Sequence, residues 1–418
     1  MEQITLNNGL RICLEMRPYL KSCAVGLYIG SGSRFETPQT LGVSHCIEHM
    51  LFKGTESLTG RQIAEITDDT GGTLNAYTAK EYTCLYARVL SCHTRTIFSL
   101  MADMVLHPAL REQELKTEKS VILEERNSYE DSSEDLCMDT FYESFWPDDM
   151  LGKNIVGTRE TIAAMTPDRI RAHMQTYYVP ERMVVVFSGA FDRDAVLADC
   201  EKHFGALRST DNPLRCTVPQ TAKFIRTVPK NLQQNVLTLG FSGVPLEDSR
   251  LHAYNYACAI LGGTESSRLF QRIREELGLV YSIDAFHTAL LGTGVACISM
   301  ALSAGKEMVA LEETMRLCRE FADTMTDSDL ERAKTQAVAA VTMSLESPGA
   351  SASRIGRNLL LLGRVPSEEE LVDALRRVTP DEVRSAAREM FRTDCVSLCA
   401  VGKTKTEKRY RSVLRSGV

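Results

Sequence analysis

His45 and His49 stand four residues apart in the run His45-Cys46-Ile47-Glu48-His49. On a helix, residues four apart lie one turn above each other, so two imidazoles at this spacing point the same way. Two such nitrogens are half of a zinc site, and Glu48 adds a carboxylate to the same face. Around the wheel, Val43, Ile47, Met50 and Leu51 form an apolar stripe, while His45, Glu48, His49 and Phe52 lie opposite. The histidines therefore turn away from the core-facing side. With 8 histidines in 418 residues, the pattern is rare by chance. Cys46 points about 60–100° around the helix from the two histidines and is not expected to bind metal.

A hydrolytic zinc site takes three protein ligands and keeps a fourth position open. The segment Thr117–Asn127 offers the missing one. Glu118 and Glu125 are seven apart, two helical turns, so their carboxylates share a face with Val121 between them. Alone, such a pair reads as solvated surface.

Taken together, these residues resemble the inverted-zincin peptidases of the pitrilysin family, most closely the subfamily of mitochondrial processing peptidase and its bacterial homologues. The resemblance implies that His45, His49 and Glu125, the last 76 residues beyond His49, hold one Zn²⁺ per chain. It implies Glu48 as general base and Glu118 as the supporting member of the catalytic set. Within Gly71–Glu81, it marks Asn75, Ala76, Tyr77 and Thr78 as a substrate-facing strand. Arg274 and Tyr281, seven apart, resemble the family's substrate-binding arginine–tyrosine pair. The implied activity is a zinc endopeptidase cutting peptides or unstructured polypeptide segments in the chamber of a clam-like dimer. A chain carrying both sets can pair with itself as a homodimer, or with a paralogue as a heterodimer. The other reading is a noncatalytic scaffold, or the partner subunit of a heterodimeric peptidase. Members of that kind typically lose ligands, whereas His45, Glu48, His49, Glu118 and Glu125 are all present here. The two-glycine turn at Gly262-Gly263 is far from the long glycine-rich loop of the noncatalytic processing partner, and no presequence specificity is inferred from it.

The elements that must position these residues come next. A chain of 418 residues suits two domains of about 200 residues each. Residues Gln3–Leu14 read as two short strands around an Asn8-Gly9 turn. A buried strand starts at Met183 and leads into a helix from about Arg193 to His203. Residues 207–219 are polar and closed by prolines, which marks a linker. The pattern then restarts with a strand near Asn235–Gly243 and a helix from Leu251 to Leu261. It ends with a helix near Pro380–Met390 and a strand Val396–Val401. The expected fold class is α+β: two structurally repeated halves, each a mainly antiparallel sheet with helices packed on it. The expected domains are a metal-binding half at 1–206, the linker, and a half at 220–418 that carries the Arg/Tyr pair without a second metal motif. His252 and His287 stand alone and read as packing or surface residues.

Composition excludes several classes. At 44% hydrophobic and 25% charged residues, the chain is ordinary globular material. No run of 18 or more apolar residues exists, so no membrane helix is expected. A formal charge of −7 argues against a nucleic-acid partner. The N-terminus has neither a signal-peptide plan nor an arginine-rich transit sequence, which favours the cytoplasm. The 13 cysteines include no C-x-x-C pair, and they read as small buried hydrophobes in a reducing compartment.

Overall fold

The structure, a computed structural model, describes residues 1–415. The chain forms two compact units. Unit 1 comprises Met1–Arg126, Lys153–Arg215 and Thr342–Val365; unit 2 comprises Asn127–Gly152, Cys216–Val341 and Pro366–Val418.

Unit 1 is built on a six-stranded sheet. Its strands are β1 (Glu2–Thr5), β2 (Arg11–Met16), β3 (Ser22–Ile29), β4 (Thr73–Thr78), β5 (Thr83–Leu90) and β6 (Met183–Gly189). Their order is β1-β2-β6-β3-β5-β4, antiparallel except for the parallel pair β2–β6. The Asn8-Gly9 turn joins β1 to β2, and Gly9 sits at φ +95°, where only glycine is unstrained. β6 is apolar from Met183 to Phe187 and buried throughout, as befits a strand covered on both faces. Ile12, Leu27, Val185 and Phe187 pack there with Phe98, Met101, Val196 and Phe204 from the helices.

Unit 2 repeats the plan with five strands: β7 (Ile225–Pro229), β8 (Gln234–Ser242), β9 (Val280–Leu290), β10 (Thr293–Ser303) and β11 (Ser397–Gly402). Their order is β7-β11-β8-β10-β9, with β7–β11 as the only parallel pair. β4 and β9 therefore occupy the same edge of their sheets. Leu237, Leu239 and Met300 pack with Ala257, Leu311, Met315 and Phe321. The two similar α+β halves expected from the sequence are present.

Two helices are exchanged between the repeats. The helix Ser133–Phe145, early in the chain, belongs to unit 2, where Cys137, Phe141 and Phe145 pack against Val236, Cys297, Cys399 and Val401. The helix Pro348–Leu362, late in the chain, belongs to unit 1 and lies across β3 and β6. A glycine opens each seat. A Cβ on Gly240 of β8 would lie 2.0 Å from the Phe141 ring, and one on Gly356 would lie 2.1 Å from the Tyr28 ring of β3. In unit 2 the ring is on the helix and the glycine on the sheet; in unit 1 the arrangement is reversed. A single cut at 207–219 would strip each sheet of one covering helix. The chain does pass from unit 1 to unit 2 within that segment, between Arg215 and Cys216.

Ten of the 13 cysteines are buried. Among the described residues, no helix is long and apolar enough to cross a membrane.

Candidate metal centre

Helix α1 (Val43–Leu51) carries both histidines. Val43, Ile47, Met50 and Leu51 are buried in the core of unit 1, as the wheel requires. The opposite face presents His45 and His49, their ring centroids 4.6 Å apart. The helix Glu112–Asp131 brings Glu125 against them. Glu125 Oε2 lies 3.5 Å from His45 Nε2 and 3.5 Å from His49 Nε2. Both separations exceed an ordinary hydrogen bond of about 2.7–3.2 Å. Both come close to the edge of a tetrahedron with about 2.0–2.1 Å bonds, which is about 3.3–3.4 Å. The three side chains offer one ligand atom each, all within 4.8 Å of one another. Two imidazoles and one carboxylate so placed fit a zinc-type ion with one position left open.

The two imidazoles sit in different electrostatic surroundings. Burial, with help from His49, pushes the His45 imidazole down to about 4, leaving it neutral at ordinary pH. For His49, burial acts downward but the Glu125 and Glu118 carboxylates outweigh it and hold the ring above its usual range. The nearby His49 and His45 rings in turn lower the Glu125 carboxyl.

Glu118 is buried beside the ligands. Its Oε2 lies 3.1 Å from His49 Nδ1 and its Oε1 accepts from Lys53 Nζ at 2.8 Å. With Nδ1–H donating to Glu118, the His49 tautomer is fixed and Nε2 turns its lone pair toward Glu125. Glu48 lies on the same face of α1 and accepts from Thr78 Oγ1 at 2.5 Å. Burial raises its carboxyl above the usual range, against the pull of Thr78 and His49.

Thr78 ends β4, the outermost strand of its sheet, which pairs only with β5. Asn75 is exposed and folds its Oδ1 onto the Ala76 N–H at 2.8 Å. Ala76 is buried, and Tyr77 is half-buried with its hydroxyl 3.2 Å from that of Tyr82. The structure thus gathers His45, Glu48, His49, Thr78, Glu118 and Glu125 in one place.

Arg274 and Tyr281 lie in unit 2. Arg274 sits in a π-helical turn, Phe270–Glu276, with its guanidinium 4.6 Å above the Phe270 ring. Tyr281 is 71% exposed on the edge strand β9. His287 has a packing role: its Nε2 accepts from the Val244 N–H at 3.1 Å and its Nδ1 lies 3.0 Å from Asn255 Oδ1.

Two contributors were not foreseen from the sequence. Lys53 pairs with Glu118, and the signal for it was its place four residues after His49. Glu36 reaches the start of α1 from the loop that leads into it. Its only trace in the sequence is a helix that starts after Gly42 without a Ser, Thr, Asp or Asn cap.

The fold is two repeated halves, and one of them carries the candidate metal centre. Residues 11–159 match the family described as insulinase (peptidase family M16), and residues 164–337 match the peptidase M16 inactive domain. The chain is 38% identical over 396 residues to a Bacillus subtilis protein named uncharacterized zinc protease YmxG, covering 94% of this chain and 96% of that protein. A Streptomyces coelicolor protein, uncharacterized zinc protease SCO5738, is 33% identical and covers 98% of this chain and 91% of its own length. The chain belongs to peptidase family M16. Among solved structures, a Helicobacter pylori protease superposes with a TM-score of 0.87 at 20% identity, covering 96% of this chain and 99% of that one. A Pseudomonas fluorescens structure described as a peptidase M16 inactive domain gives a TM-score of 0.89 at 18% identity, with 97% and 98% covered. These two share the fold.

Proposed function

We propose that this chain is a zinc-dependent endopeptidase that hydrolyses peptides or unstructured polypeptide segments. The observation that carries it is the convergence of His45 Nε2, His49 Nε2 and Glu125 Oε2 at tetrahedral-edge spacing, with Glu48 beside them. The names of the zinc-protease relatives support the same reading. When bound, zinc supplies a Lewis acid that polarises the scissile carbonyl and lowers the pKa of water at the open position.

The chain's own residues do the rest. Glu48 takes a proton from the attacking water and delivers it to the leaving amine nitrogen as the C–N bond breaks. Its raised carboxyl suits a group that must both accept and return a proton. Thr78 holds the carboxylate in place, and Lys53 and Glu118 hold His49. The outer edge of β4 takes the peptide as an added strand, through backbone hydrogen bonds that tolerate varied side chains. Arg274 and Tyr281 bind substrate from the second half of a partner chain in a clam-like dimer. That both the metal set and this pair occur in one chain supports self-pairing.

A quenched fluorescent peptide library tests the activity. The zinc-loaded chain should cleave it, and a chelator should stop cleavage. Glu48→Gln should keep the zinc and lower kcat by about 10²–10⁴-fold. A zinc-loaded parent that cuts nothing defeats the proposal, and full activity in Glu48→Gln removes Glu48 from the base role.

A further inference from the structure

Helix α1 starts without a cap of its own. Gly42, before its first residue, sits at φ +89°, and a Cβ there would lie 2.4 Å from the Val156 carbonyl oxygen, so no capping side chain fits. The first-turn N–H groups are met from outside the helix instead. Glu36 Oε2 accepts from the Gly42 N–H at 2.7 Å, and Oε1 accepts from the Ser44 N–H at 2.8 Å. This carboxylate is only 6% exposed. Burial pushes its carboxyl up to about 7, and the two N–H groups pull it back.

The two histidines are held by different means. His49 is fixed through its ring, by the bond from Nδ1 to Glu118. His45 Nδ1 is buried with no hydrogen-bond partner. The place of His45 Nε2 therefore depends on the first turn that carries it, and Ser44 is the residue directly before it. A zinc bond tolerates about ±0.2 Å, so a small slip of the first turn matters. The loop bearing Glu36 is itself anchored. Arg34 pairs with Glu81 at 2.6 Å, both buried, and the Arg34 N–H donates to the Lys80 carbonyl at 2.8 Å. One short segment thus ties the start of α1 to the turn after Thr78, which holds Glu48.

We propose that Glu36 is a positioning residue for the metal centre: by gripping the N–H groups of Gly42 and Ser44, it sets His45 against His49 and Glu125. It acts through His45 and touches neither metal nor substrate. The inference rests on the reading of His45, His49 and Glu125 as zinc ligands.

The test uses the full chain at pH 8, where the carboxylate is ionised. Zinc affinity is measured by competition with a chromophoric chelator, the ligand geometry by the absorption bands of the cobalt(II) form, and stability by the thermal midpoint of the metal-free protein. Glu36→Gln keeps the reach and one acceptor, and should weaken zinc binding about tenfold with altered cobalt bands. Glu36→Ala loses both bonds and should weaken it further, to about a hundredfold. Thr379→Ala, which removes the capping box of the helix Pro380–Met390 in unit 2, is the control. It should lower the thermal midpoint and leave zinc affinity and cobalt bands unchanged. If both Glu36 variants match the parent in affinity and spectrum while losing stability as the control does, Glu36 is a helix cap only and the proposal fails. Where Glu36→Ala does not fold, the near-isosteric Glu36→Gln decides. A parent that takes up no zinc removes the ligand reading itself, a failure visible before any variant is compared.

Discussion

Helix α1 and the helix Leu251–Gly262 follow equivalent strands, β3 and β8, yet only one faces the candidate metal centre. Counted from the first helical residue, His45 and His49 of α1 correspond to Ala253 and Ala257, and Glu48 to Tyr256. The helices Glu112–Asp131 and Asp327–Glu346, each 20 residues long, show the same contrast: Glu118 and Glu125 correspond to Ala333 and Ala340. Ala253 and Ala257 are buried in the unit 2 core, and Tyr256 donates its hydroxyl to the Leu375 carbonyl at 3.1 Å. The lesson is that the repeat closes its core without any metal. The histidines and glutamates of unit 1 are a site set on a scaffold that already stands.

The largest expected effect tests whether the two units divide the work between two chains. A Glu48→Gln chain mixed with an Arg274→Ala chain should regain about a quarter of parental activity, since half of randomly paired symmetric dimers then hold one complete site. Peptide cleavage after subunit exchange measures it, and no recovery would confine each site to a single chain.

Next in size is a property the units share. His173 in unit 1 bonds Ser31 Oγ at 2.8 Å, and burial lowers its imidazole to about 4; burial does the same to His287 in unit 2. Both folded values lie below the free value of about 6.5, so the fold favours neutral rings. Their contribution is fully present above that value and is lost as pH falls toward 4. Between pH 7.5 and 5, each should cost about 2 kcal/mol of stability. Urea midpoints of His173→Gln and His287→Gln should fall less steeply over that range than the parent's. A parallel fall in all three would show that these rings are not the acid-sensitive groups.

A last, comparable effect probes the reciprocal seats of the exchanged helices. Gly240→Ala and Gly356→Ala should each cost about 1–3 kcal/mol by overpacking a ring. Thermal midpoints would show it, and an unchanged midpoint in either would mean that its ring has room to move.

Much of this was legible in the residues. The four-apart histidines and seven-apart glutamates report helical faces directly, and the structure places three of them with Glu48 around one point. The strands at Met183 and Asn235 and the helices at Leu251 and Pro380 were legible as apolar runs bounded by breakers. The helix exchange was not, because periodicity shows which face of a helix is apolar and not which sheet it covers. Glu36 was hidden for a related reason: its targets are backbone N–H groups, which leave no side-chain pattern. Lys53 looks like one more surface cation until Glu118 is seen beside it.

The exchange of Ser133–Phe145 for Pro348–Leu362 also bears on how such a chain arises and how it can be handled. Fusing two copies of a helix-swapped pair end to end would give this connectivity, with each descendant half still carrying the other's cover. A fragment that stops in the linker would hold one helix with no sheet to sit on and one sheet stripped on a face, so neither half by itself is a self-contained module.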